Sequence, residues 1–70
     1  MPKLPTRTAK QVIEILVRHG FAIDHVTGSH HIMFHSERQL RITVPMHHGD
    51  LKRGALHTII KQSGLSRADF

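Results

Sequence analysis

The chain has 70 residues, a length that supports one domain with a small core, and no cysteine, which excludes disulfides and a thiolate zinc site. No apolar run approaches the roughly 18 residues that span a bilayer, and Met1-Pro2-Lys3-Leu4-Pro5 lacks the apolar centre of a secretion signal, so a soluble cytoplasmic protein is expected. Ten Lys/Arg against five Asp/Glu give +5 with histidines neutral, a balance that favours polyanions or an acidic protein partner over an uncharged ligand.

The Pro-interrupted, basic residues 1–7 read as an extended arm, leaving residues 8–70 as a single domain. Thr8-Ala9-Lys10-Gln11 matches a capping box, and Ala9, Val12, Ile13 and Leu16 follow at helical spacing. Gly20 supplies a left-handed end to that first helix. Phe21 to Val26 is strand-like, with Phe21 and Ile23 expected on one face, and Thr27-Gly28-Ser29 turns the chain into a second strand over residues 30–35. After the polar turn Ser36-Glu37-Arg38-Gln39, Leu40, Ile42 and Val44 alternate with Arg41 and Thr43, and Pro45 ends this third strand. Residues 46–54 read as a loop. A second helix is expected from about Gly54 to Ser63 on a stripe of Leu56, Ile59 and Ile60, closed by Gly64 with Leu65 folding back in a Schellman-type end. Ser66-Arg67-Ala68-Asp69 resembles another capping box and predicts one more helical turn. Two helices that need the same apolar face of a three-stranded antiparallel sheet define an α+β fold, an α-β-β-β-α two-layer sandwich.

The chemistry concentrates at Gly28-Ser29-His30-His31. Strand alternation places His30 with Ile32 and Phe34, and His31 with Met33 and His35. A lone histidine at a strand start is ordinarily satisfied by a nearby carbonyl. Here an exposing Gly-Ser turn, a second imidazole and abundant positive charge weigh toward proton transfer. On RNA, such a histidine takes the 2′-OH proton or protonates the leaving 5′-oxygen, worth about 10²–10⁴ in rate, with a nearby Lys or Arg stabilising the phosphate. Lys52 and Arg53 before the second helix read equally well as a phosphate cradle or as a solvated loop. Arg41 and Thr43 project opposite Leu40 and Ile42, and His31 and His35 are expected to join them on the open sheet face. With no Tyr or Trp and only three Phe, base stacking is poorly supplied, so phosphate and sugar contacts should dominate any RNA complex.

Metal is a weaker reading. On a strand His31 and His35 stand about 13 Å apart, His47, His48 and Asp50 meet only across a loop, and no zinc-binding spacing occurs. Neither a structural metal nor a cofactor is expected. His19, His25 and His57 carry no motif.

The Gly28-Ser29-His30-His31 turn, Val44-Pro45, Asp50-Leu51-Lys52-Arg53-Gly54 and the ending Ile60-Lys61-Gln62-Ser63-Gly64-Leu65-Ser66 resemble HicA toxins, the YcfA-like family, in order and at family spacing over nearly all of residues 8–70. The resemblance implies a fold like the double-stranded-RNA-binding domain and an mRNA interferase of a type II toxin–antitoxin pair, neutralised by a HicB-type antitoxin. It implies a catalytic histidine at His30 with His31 as neighbouring candidate, Gly28 and Ser29 as the presenting turn, and Lys52 as a basic position before the second helix. Ala55, His57 and the Ser36–Gln39 turn depart from the usual pattern. A non-catalytic RNA-binding module and an interaction domain for an acidic protein are the competing readings.

Overall fold

The computed structural model describes residues 6–46 and 49–70. The elements run α1 (Ala9–Arg18), β1 (Ala22–Thr27), β2 (His30–His35), β3 (Leu40–Pro45) and α2 (Arg53–Ser63), then a 3-10 turn over Arg67–Asp69. The strands form one antiparallel sheet in the order β1-β2-β3. The α-β-β-β-α sandwich expected from the sequence is the fold.

The local signals act as their chemistry requires. The Thr8 hydroxyl accepts from Gln11 N–H at 3.2 Å, and the Gln11 side chain accepts from Thr8 N–H at 2.9 Å. At the other end of α1, Gly20 takes φ +94°, its N–H donates to the Val17 carbonyl, and Phe21 N–H donates to the Leu16 carbonyl. That pair of bonds is a Schellman motif, and buried Phe21 and Leu16 supply its apolar contact. Phe21 therefore belongs to the helix end. The strand starts at Ala22, and Ile23, opposite core Met33, lies on the same side as buried Phe21 but stays half exposed on the edge strand. Pro45 stays in the ladder opposite His30, because a strand-end proline needs no N–H there, and the next N–H, Met46, donates to the Ser29 carbonyl. Helix α2 begins at Arg53 and ends at Gly64 with φ +74°. Leu65 folds back onto the core as expected, but its N–H donates to the Ser63 hydroxyl, whose own proton goes to the Ile60 carbonyl.

Both helices cover one face of the sheet. Val12, Ile15 and Leu16 from α1, Leu56, Ile59 and Ile60 from α2, and Met33, Ile42 and Val44 from the sheet meet in the core. Leu51 and the terminal Phe70 close its ends. Asp69 holds the last turn by accepting from Ser66 N–H and from the Ser66 hydroxyl, which keeps Phe70 buried. The loop before α2 is tied to the start of α1: Leu51 N–H donates to the Arg7 carbonyl, and Asp50 bridges Thr8. Residues 1–5 of the arm, and His47 and His48 of the suggested loop cluster, lie outside the described residues.

Candidate functional site

Strand pairing decides which histidines share a surface. Thr27 and His30 pair across the β1–β2 hairpin, so Gly28 and Ser29 are its two loop residues. Gly28 takes φ +51°, the left-handed first position that a two-residue hairpin loop favours, with open space where a Cβ would stand. The turn therefore lifts His30 to the surface at the head of β2, where it is exposed, beside Thr27 and Pro45.

His31 points the other way. It lies between Val26 and Val44, in the row next to Met33 and Ile42, on the face that the helices cover. Its ring is part-buried, and Nδ1 finds no hydrogen-bond partner among the described residues. His35 is on the same face and is buried, with its ring edge-on to Phe21 at 5.1 Å and its Nδ1 accepting from Arg38 N–H at 3.2 Å. The expectation that His31 and His35 join Arg41 and Thr43 on the open face is thus corrected. Arg41 pairs with Phe34, and Thr43 with Ile32, so the residues of β2 that share their face are His30, Ile32 and Phe34. Pairing parity, not strand assignment, was misjudged: opposite residues in a ladder point to the same side.

Arg41 sits four residues from the row of His30 and Pro45, about 13 Å along the strands, so these two predicted residues are not brought together. Its guanidinium lies 4.9 Å from the Phe34 ring centroid and donates to Asp24 Oδ2 at 2.8 Å. The same oxygen accepts from His25 Nδ1 at 2.7 Å. The His25 hydrogen bond, then the Arg41 one, holds the Asp24 carboxyl below its ordinary range. Asp24 is the extra residue of a β-bulge, since the β1 register shifts between Ile23 and His25. Bulges re-aim side chains, and this one turns Asp24 and His25 together over the open face. Sequence reasoning passed over His25; an acidic residue directly before a histidine in an edge strand was the available signal.

Lys52 is the N-cap of α2, without a side-chain cap bond, and no acidic residue occupies the first turn. Lys52 and Arg53 are exposed there, so the N–H groups of α2 start beside two cations. A concave site of about 500 Å³ lies elsewhere, between α1 and the C-terminal turn, lined by residues that include Arg7, Gln11, Glu14 and Arg18 and none of the predicted site residues. Among the described residues, no group of three or more metal-ligating side chains converges, and no helix is long and apolar enough to cross a membrane.

Fold and surface together define a small basic α+β sandwich that displays imidazoles on a sheet face uncovered by either helix. The chain belongs to the HicA toxins of bacterial toxin–antitoxin systems: the model of that family matches residues 9–65, which take in both helices and all three strands. Membership gives the chain a toxin's role with an antitoxin as its counterpart. No curated protein matches the chain.

Proposed function

We propose that this toxin is an mRNA interferase that uses His30 to move a proton during RNA cleavage and is silenced by a HicB-type antitoxin laid over the His30 turn and its basic surroundings. The observation that supports it most is the opposite fate of the paired histidines: His30 stands exposed at the hairpin head, while His31 is turned under the helices. A proton carrier must reach the 2′-oxygen or the 5′-oxygen of a bulky polymer, and of the two only His30 offers its ring to one. Lys52 and Arg53 at the exposed start of α2, and Gly28 and Ser29 at the turn, suit phosphate contacts. A broad sheet surface suits RNA better than a small metabolite, which a concave site would enclose.

The test is cleavage of EDTA-treated mRNA by purified protein, with His30→Ala and His31→Ala compared. His30→Ala is expected to lose about 10²–10⁴ in rate with unchanged folding, and His31→Ala to keep cleaving. RNA binding without cleavage by the wild-type chain would instead make it a binding module, and cleavage undiminished by His30→Ala would overturn the assignment. Addition of the cognate antitoxin is expected to stop both cleavage and RNA binding.

A further inference from the structure

Breaking an RNA strand through its own 2′-hydroxyl needs two proton transfers, and His30 can perform only one of them at a time. We propose that His25, held by Asp24, is the second catalytic imidazole of this toxin, acting as general base while His30 acts as general acid. The inference rests on the nuclease reading above and extends it to a residue pair that no motif marks.

Three observations carry it. First, the ladder places His25 opposite Ile32 and Thr27 opposite His30, so His25 and His30 are diagonal neighbours on one face of one hairpin. Diagonal Cα atoms in such a pair are about 7–8 Å apart, which leaves room for a phosphodiester between two imidazoles. Second, Asp24 Oδ2 lies 2.7 Å from His25 Nδ1. A carboxylate only accepts, so Nδ1 carries a proton, and in the neutral ring Nε2 is left with the lone pair, the tautomer a base requires. Third, Asp24 is itself held: Arg41 donates to the same oxygen at 2.8 Å while stacked on Phe34. The bulge turns Asp24 and His25 together onto the open face, where both side chains stay accessible to a ligand.

The proton balance closes. His25 Nε2 takes the 2′-OH proton as O2′ bonds to phosphorus. The P–O5′ bond breaks, and O5′ receives the proton of the His30 imidazolium. The products are a 2′,3′-cyclic phosphate and a free 5′-hydroxyl, with no oxidant or external co-reactant. His25 ends protonated and His30 neutral, and exchange with water resets both. Asp24 and Arg41 touch no reacting atom in this scheme; they are positioning residues.

The test uses an RNA whose cut site has been mapped with the wild-type protein, and the same RNA with sulfur replacing the 5′-bridging oxygen at that site. A thiolate departs without a proton, so the acid becomes dispensable on the second substrate. We expect His25→Ala to slow both substrates by about 10²–10⁴, and His30→Ala to slow only the oxygen substrate while cutting the sulfur one within a few-fold of wild type. Asp24→Asn is expected to lower kcat at least tenfold with little change in KM, and Arg41→Ala to lower it far less. The His25 side chain is about half exposed, so alanine there should leave the unfolding midpoint in place. Full cleavage by His25→Ala, with His30→Ala inactive, would remove His25 from the mechanism and leave the nuclease reading standing. Failure of His30→Ala on the sulfur substrate would overturn its assignment as the acid. Full cleavage of the oxygen substrate by His30→Ala would remove His30 as the acid and overturn this inference, while absence of cleavage by the wild-type chain would take down the nuclease reading itself.

Discussion

Gly20 sits directly over the ring of His35: a Cβ built on Gly20 would stand 2.6 Å from His35 Nε2. The contact joins the end of α1 to the far end of β2, and it clamps a buried imidazole between Phe21 and a backbone that has no side chain. Gly20→Ala therefore suffers twice, from the clash and from φ +94°. About 2–4 kcal/mol should be lost, read by urea unfolding. Removing the ring relieves only the clash, so Gly20→Ala with His35→Ala should cost less than the sum of the two single changes.

His31 faces the helix layer between two valines, and among the described residues its Nδ1 has no hydrogen-bond partner. A buried polar atom without a hydrogen bond costs about 1–3 kcal/mol, and a β-branched apolar residue suits that row. His31→Val should raise stability by about 1 kcal/mol and leave RNA cleavage within a few-fold of wild type. A destabilised variant in thermal unfolding, or one that no longer cleaves, would show that the ring has a partner or a role that its placement does not reveal.

Acid should loosen the protein through two carboxylates. Asp69 is held below its ordinary range first by Ser66 N–H and then by the Ser66 hydroxyl, and Asp24 by His25 and Arg41. A depressed folded-state pKa contributes stability that is complete above the unfolded value near 3.8 and lost as pH falls through the folded one. Urea midpoints measured from pH 6 down to pH 2 should decline through the lower part of that window. Asp69→Asn should start lower at pH 6, decline less, and converge with wild type in acid.

Positive charge at the start of α2 should show itself in salt dependence. If Lys52 and Arg53 each neutralise an RNA phosphate, Lys52→Ala and Arg53→Ala should each weaken binding a few-fold and reduce the slope of log affinity against log salt by about 0.7–1. Lys61, in the last turn of α2, serves as the control whose loss should leave the slope unchanged. Equal slopes for all variants, in filter binding across a salt series, would remove the α2 start from the RNA surface.

The parts of this protein that could be read residue by residue are those whose hydrogen bonds close within a few positions. Thr8 and Gln11 cap each other, Gly20 ends α1, Gly28 bends the hairpin, and Ser66 with Asp69 makes the last turn; each needs only its neighbours in the chain. Alternation likewise separated His30 from His31 before any strand was paired. Which of those faces met the helices was another matter. It depends on register across the sheet, and register is set by packing: Met33, Ile42 and Val44 go under α1 and α2, which carries His31 and His35 with them and leaves Arg41 with His30 outside. Phe70 became core only because the C-terminal turn folds back. Asp24, His25 and Arg41 meet across 17 residues through a bulge that no local pattern announces, so their juxtaposition exists only once the sheet is assembled.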